Sequence, residues 1–362
     1  MAKRKHSELE STTPAVTKPR AKRQKQKHVG TENKEANLSQ FQTDAKFAEQ
    51  LYNETLPFLP GVTTFVEPSA GRGAFYNLMP VDNRIGIDID TNLKEAFPQY
   101  IYADFLTLAA KDMGLDVHDK KHVAMIGNPP FSSRTNINRN EFGTSTGGSV
   151  NLALKFVNHA AKFSDTVAFI LGCNFRKWSI QDRIDPELHL VYEQIINSGW
   201  QRQGAATFEI VDQGKTIKSV RTVFQIWQRK YDDAGVAIKR AKHFDGSIEI
   251  LEGVWSVNKV EGDFKFLKTG DPTANVLVRK WASRLRVGDA TMDPEKIKTV
   301  REKVTPGGRT SGTWFYLYAK DPVTVSEKLI GLKETIVEYC KDTSAVPSST
   351  LNMKDLITIY TK

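Results

Sequence analysis

The stretch Val123-Ala124-Met125-Ile126, running into Gly127-Asn128-Pro129-Pro130-Phe131, constrains the fold most. Four apolar residues in a row have no polar face, so the segment reads as a strand buried on both sides, as strands of parallel sheets are. Two prolines then end it, because each fixes φ and lacks the N–H that continued pairing requires. Strand and turn together point to an open α/β sheet, whose ligands bind beyond the carboxyl ends of the strands. The turn offers hydrogen-bond acceptors, the Asn128 side-chain oxygen and the Pro129 carbonyl, beside the aromatic face of Phe131. Acceptors next to a stacking ring suit a planar base carrying an exocyclic amine; a proline-terminated strand with a packed phenylalanine is the alternative.

The flanking sequence supplies the rest of such a sheet. Ala45 to Phe58 places Phe47, Leu51, Tyr52, Leu56 and Phe58 mostly at helical spacing, which predicts a helix ahead of the first strand. Val62 to Val66 reads as a β-branched strand leading into Glu67-Pro68-Ser69-Ala70-Gly71-Arg72-Gly73, with a helix expected from Ala74 to Leu78. Gly71 and Gly73 allow a tight turn and close approach to a ligand, and a helix start presents free N–H groups. A second strand, Arg84 to Asp90, ends in acids roughly twenty residues on, the distance expected of a carboxylate that holds ribose hydroxyls. Tyr100 to Leu106 is a third, ending in Asp104 for an adenine amino group and Phe105 for its ring. Tyr76 stands where a dinucleotide turn has its third glycine, so a mononucleoside is favoured. Leu152 to Phe163 reads as a helix carrying His159, and Thr166 to Leu171 as a buried fifth strand. Trp200 to Ile210 and Val220 to Trp227 are expected to pair about the polar turn Asp212-Gln213-Gly214-Lys215.

This order resembles that of the class I S-adenosylmethionine-dependent methyltransferases, and within them the amino-methyltransferases of the N6-adenine type, marked by Asn/Asp-Pro-Pro and an aromatic. Glu67 to Gly73 resembles their first cofactor motif, and Asn128 to Phe131 their catalytic motif. Gln40-Phe41-x-Thr43 is similar to the upstream cofactor motif of the gamma-like group, in which that element precedes the glycine loop. The resemblance spans about residues 39 to 229. It implies a Rossmann-like seven-stranded α/β sheet, S-adenosyl-L-methionine as cofactor, and catalysis by Asn128, Pro129, Pro130 and Phe131. The cofactor contacts it implies are Phe41, Thr43, Glu67, Pro68, Ser69, Ala70, Gly71, Gly73, Asp88, Asp104 and Phe105. The activity implied is N6-adenine methylation of nucleic acid, DNA preferred. RNA adenosine in an mRNA cap or small RNA, a protein glutamine, and a non-catalytic nucleic-acid-binding subunit are the alternatives. The glutamine enzymes usually carry Tyr at the position of Phe131 and an Asp-x-Gly-Thr-Gly-type first motif.

Three segments bear on the polymer. Ser132 to Val150 is polar, contains Arg134 and Arg139, and reads as a substrate-contacting lid or a tolerated surface insertion. Asn174-Phe175-Arg176-Lys177-Trp178 interleaves cations and rings past the fifth strand, which suits a phosphate backbone with stacked bases, or else a solvated helix start over a buried Trp178. Beyond the Tyr231-to-Gly235 linker the βα alternation stops, and residues 235–362 read as a smaller α+β domain. There Lys265, Lys268, Arg279, Lys280, Arg284, Arg286, Arg301 and Arg309 lie among Trp281, Trp314 and Tyr316, in the place of the family's target-contacting region.

Charge matters through its distribution. Residues 1–30 hold nine Lys/Arg against two acids, so they carry +7 of the chain's +9. This disordered basic tail, residues 1–36, is too polar to bury a core. Its two basic clusters within residues 3–27 read as a bipartite signal for a nuclear import receptor, and hence a nuclear protein, or as a phosphate-binding arm or plain solvated tail. The methyltransferase domain is expected over 37–230. Cys173 and Cys340 have neither disulfide nor zinc spacing, so neither metal nor oxidising compartment is expected. No apolar run approaches the roughly 18 residues of a membrane span, so the chain reads as soluble and not secreted.

Overall fold

The computed structural model describes residues 42–130, 152–196, 208–209, 222–244, 248–251, 254–257, 263–279, 290–302, 314–343 and 351–362. The basic tail, Phe41, Phe131, the 132–150 loop with Arg134 and Arg139, the turn at 212–215, and Lys280, Trp281, Arg284, Arg286 and Arg309 lie outside them.

The first part of the chain forms β1 (Gln42–Thr43), α1 (Ala45–Thr55), β2 (Thr64–Glu67), β3 (Arg84–Asp88), β4 (Ile101–Tyr102), β5 (Val123–Gly127), α2 (Leu152–Ala160), β6 (Thr166–Gly172), the single turn α3 (Trp178–Gln181), β7 (Leu188–Ile196), β8 (Phe208–Glu209) and β9 (Thr222–Arg229). Seven of these strands make one sheet in the order β4-β3-β2-β5-β6-β9-β7. β4, β3, β2, β5 and β6 are parallel neighbours, whereas β9 runs antiparallel to both β6 and β7. Successive residues of the buried strands point to opposite faces. Val123, Met125, Val167, Phe169 and Leu171 meet α2 through Leu154, Phe156 and Val157. Ala124, Ile126, Ala168 and Ile170 meet α1 through Ala48, Leu51 and Tyr52. Each fully buried aliphatic side chain in these layers contributes roughly 1.5–3 kcal/mol.

Two local expectations are corrected. The glycine loop is followed by a short 3-10 turn, Tyr76–Leu78, instead of a helix over 74–78, because the Glu67 carboxylate takes the Tyr76 N–H and Pro80 closes the segment. The strand antiparallel to β9 is Leu188–Ile196, which precedes the expected Trp200-to-Ile210 arm. Within that arm, Phe208 and Glu209 pair with Thr43 and Gln42 instead.

The rest of the chain builds a smaller domain with a second sheet. Its strands are β10 (Ile248–Leu251), β11 (Val254–Val257), β12 (Phe264–Leu267), β13 (Val276–Arg279) and β14 (Trp314–Ala319), ordered β10-β11-β12-β14-β13 and antiparallel throughout. Helix α4 (Pro294–Glu302) covers Leu267, Leu277 and Tyr316 on one face through Ile297. On the other face α5 (Pro322–Gly331), α6 (Lys333–Asp342) and α7 (Met353–Thr361) bury Phe264, Phe266, Val278, Phe315 and Leu317. The 231–235 linker is a closed turn: Asp232 accepts the N–H groups of Ala234 and Val236, and the Tyr231 hydroxyl donates to Asp165 at 2.6 Å.

Candidate active site

Loops after β2, β3 and β5 meet at the carboxyl edge of the first sheet. Gly71, at φ +51°, occupies the left-handed region that glycine tolerates. A Cβ there would come within 2.9 Å of the Gln42 side chain, whose Oε1 accepts the Arg72 N–H at 3.2 Å. The Gly71 N–H itself donates to Asp88 at 2.7 Å, and the other Asp88 oxygen accepts from the Asp90 N–H at 2.8 Å. Each carboxylate oxygen has a second lone pair, so Asp88 keeps acceptor capacity for a ligand hydroxyl.

Two acids lie under the loop. Glu67 is 2% exposed and Asp88 5%. Burial pushes the Glu67 carboxyl well above the ordinary range against the opposing hydrogen bond from Tyr76, with the charge of Asp88 adding to the rise. Burial raises Asp88 as well, against the N–H groups of Asp90 and Gly71. The Asp88 carboxyl, bonded to the Gly71 and Asp90 N–H groups, offers acceptors to a nucleoside hydroxyl where a phosphate would need donors. The site therefore has a glycine cradle without the electrostatics of a phosphate loop.

The turn after β5 is tied directly to this cradle. Ser69 Oγ donates to the Asn128 carbonyl at 3.1 Å, and Asn128 Nδ2 donates to Thr43 Oγ1 at 3.1 Å. Gly127 packs closely here: a Cβ on it would sit 3.2 Å from the Glu67 side chain, which would have to give way. Pro68, Ala70 and Pro129 are buried in the same seam, and Pro130 is half-buried. Thus Thr43, Ser69 and Asn128 form one bonded set and Gly71 and Asp88 another, joined through the loop that runs from Glu67 to Gly73.

Asp104 sits at the end of β4 and caps a 3-10 turn by accepting the Leu106 N–H at 3.0 Å. Phe105 departs from its expected role as an adenine platform. Its ring is 2% exposed in the core, edge-on to His159 at 4.8 Å and against Phe156 at 5.3 Å. His159 is committed too, its Nε2 lying 3.1 Å from the Leu108 carbonyl.

The expected polymer contacts Arg176, Lys177 and Trp178 are taken up by the junction with the smaller domain. Arg176 binds Glu193 at 2.7 Å and the Asp342 carbonyl at 2.9 Å. The Trp178 N–H donates to the Tyr339 hydroxyl at 3.0 Å, the two rings stand 4.6 Å apart, and Lys362 lies 3.9 Å over the indole. Next to them Asp355, fully buried, accepts from the Ser179 N–H at 3.0 Å and hydroxyl at 3.1 Å, and burial raises its carboxyl. Lys177 is lowered by burial, against the pull of Asp355.

Tyr100 is a site residue that sequence reasoning missed. A Cβ on Gly86 would come within 2.5 Å of its ring, and one on Gly73 within 2.8 Å of its hydroxyl, so two glycines make room for one phenol beneath the loop. That hydroxyl is buried and has no hydrogen-bond partner among the described residues; burial, then Glu67, raises its pKa. The readable signal was Gly86 interrupting the apolar strand β3.

Among the described residues no group of three or more His, Cys, Asp or Glu could hold a metal, and no helix is long and apolar enough to cross a membrane. No family model and no curated protein matches the chain. Similar solved structures include a candidate RNA methyltransferase from Pyrococcus horikoshii, with 18% identity over 55% of this chain and 91% of that one, at a TM-score of 0.36. Another is the modification subunit of a candidate type I restriction enzyme from Vibrio vulnificus YJ016, with 12% identity, coverage of 52% and 44%, and a TM-score of 0.33. A third is the DrdV–DNA complex, with 14% identity, coverage of 54% and 27%, and a TM-score of 0.35. The fold stands on the strand order itself: five parallel strands with the reversed strand β9 inserted before the outermost β7 make the Rossmann-like sheet of the class I methyltransferases.

Proposed function

We propose that the chain is an S-adenosylmethionine-dependent N6-adenine methyltransferase acting on nucleic acid, with DNA as the preferred substrate. The observation that carries this reading is the hydrogen-bonded seam joining the glycine loop, through Ser69, to Asn128 and on to Thr43. The residues fit the cofactor: Gly71 and Asp88 would hold its nucleoside, Asp88 accepting from a ribose hydroxyl. Bound there, S-adenosylmethionine supplies an electrophilic methyl group on a positively charged sulfur.

The chain's own residues act on the amine. An adenine amino group is a weak nucleophile because its lone pair is delocalised into the ring. Asn128 Oδ1 and the Pro129 carbonyl accept its two N–H bonds, which frees the lone pair and stabilises the positive charge that develops. Thr43 holds the Asn128 amide in place by accepting from its Nδ2. Positioning supplies the rest of the rate. A base in duplex DNA must first leave the stack, at a cost of a few kcal/mol. With the import signal read in residues 3–27, the compartment proposed is the nucleus.

Nucleoside mass spectrometry after incubation of the chain and methyl donor with single-stranded DNA, duplex DNA and RNA tests the reading. N6-methyldeoxyadenosine is the expected product. No methylated adenine in any polymer, under conditions where the donor binds, overturns it, and product in RNA alone overturns the preference for DNA. Asn128→Ala is expected to lower turnover about 100- to 1,000-fold with donor affinity retained.

A further inference from the structure

The surplus positive charge of the folded part is local. Residues 264–318 hold eleven Lys/Arg against five Asp/Glu, a net +6, whereas everything beyond residue 30 sums to only +2. Outside the tail and this segment the chain is therefore net acidic. Two of the five acids are occupied: Asp271 accepts from the Thr273 N–H and hydroxyl, and Asp293 from the Glu295 N–H at the start of α4.

Three of the segment's cations, Lys268, Arg279 and Lys296, stand at a cleft of about 300 Å³ at the Trp314 end of the second sheet. Its lining comes from Leu267, Lys268 and Thr269, from Trp314 and Tyr316 on the neighbouring strand, and from Met353 of α7. Arg279 is the cross-strand partner of Trp314, with its guanidinium 5.6 Å from the ring centre, and Lys296 approaches the same ring at 5.7 Å. The Arg279 Nε is buried without a hydrogen-bond partner among the described residues. Further along β12 and β14, Lys265 and Tyr318 form an exposed cross-strand pair.

We propose that this cleft binds an unpaired nucleotide of single-stranded DNA, with its base against Trp314 and its flanking phosphates at Lys268, Lys296 and Arg279. The volume falls at the lower end of ligand clefts, about 300–1,000 Å³, which suits one base. Aromatic walls set among cations are what a strand of alternating bases and phosphates requires, because stacking is blind to base identity and the cations follow the backbone. The choice of DNA rests on the function proposed above; the nucleotide chemistry rests on the cleft.

Fluorescence anisotropy of the full-length chain with a labelled oligodeoxythymidine of about 12 nucleotides tests this without any methyl donor. Trp314→Ala is expected to weaken binding about tenfold or more, Trp314→Phe to retain most of it, and Lys268→Glu to weaken it with the fold intact by circular dichroism. An oligonucleotide with abasic sites should bind the wild type as poorly as intact DNA binds Trp314→Ala. Unchanged affinity in both Trp314→Ala and Lys268→Glu overturns the site. Equal competition by polyglutamate of the same charge overturns the stacked base, and tighter, Trp314-dependent binding of the matching RNA overturns the assignment to DNA. Trp314-dependent binding without adenine methylation would spare this site and remove the enzyme reading. Adenine methylation with a Trp314-independent Kd and KM would do the reverse.

Discussion

Two clusters in this chain mix cations with indole rings, and the sequence presents them alike. In the first, Arg176, Lys177 and Trp178 point inward to Glu193, Tyr339 and Asp355, so the cations and the ring knit the seven-stranded sheet to helices α6 and α7. In the second, Trp314, Arg279 and Lys296 stand around a cleft at the end of a sheet. The difference lies in the partners. Asp355, buried, and Glu193, half-buried, supply the first cluster with acids, whereas two of the acids near the second, Asp271 and Asp293, are spent on capping their own turns. A basic-aromatic stretch thus joins domains where the fold brings it acids, and stays available to an anionic polymer where it does not.

Substitutions in the two clusters should separate stability from binding. The largest effect is expected from Asp355→Ala, which leaves the Ser179 N–H, the Tyr339 hydroxyl and Lys177 without their shared acceptor and should cost about 3 kcal/mol in urea denaturation. Trp178→Ala comes next, at about 2 kcal/mol from the lost contacts with Tyr339 and Lys362, with oligonucleotide affinity shifted less than about twofold. Trp314→Ala reverses the pattern, with stability within about 1 kcal/mol of wild type and the loss confined to binding. If both tryptophans change stability equally, the contrast between the clusters is gone.

Acid and salt give smaller and sharper tests. Burial raises the Asp355 carboxyl, so between the ordinary carboxylate range and the raised value the folded state binds more protons there than the unfolded chain does. Its contribution is full below the ordinary carboxylate range and is lost as pH rises through the raised value. The stability advantage of wild type over Asp355→Asn should therefore shrink with rising pH, measured by denaturation at several pH values, and the offset of Trp314→Ala should stay level. Least in size, Lys268→Ala should reduce the slope of log K against log salt by about 0.7, the share of one single-strand phosphate contact.

Much of the first sheet was legible because its signals are local. Buried runs such as Val123–Ile126 and Thr166–Leu171, and turns built on Gly71 and on Pro129-Pro130, carry their strand and loop character within a few residues. The cluster of Glu67, Asp88 and Asn128 follows from that, since parallel neighbours bring their carboxyl ends together. What was not legible depends on distant partners. The bond from Asn128 to Thr43 spans 85 residues, and the junction bonds of Ser179 to Asp355 span 176. Phe105 looked like a platform because its own sequence ends a strand, and its burial was decided by Phe156 and His159 on a helix some fifty residues away. The Phe208–Glu209 pairing with β1 likewise had no local mark.

The reversed strand also orders events during synthesis. β7 leaves the ribosome before β9, yet β9 is the neighbour that holds it, and β9 itself must lodge between β7 and the already formed edge at β6. Until residue 229 emerges, β6 presents an unpaired edge whose apolar faces on both sides are in place, the kind of surface that recruits chaperones or another chain. A nascent chain with β6 exposed but Thr222 not yet emerged leaves that edge open, and the emergence of Arg229 lets β9 cover it.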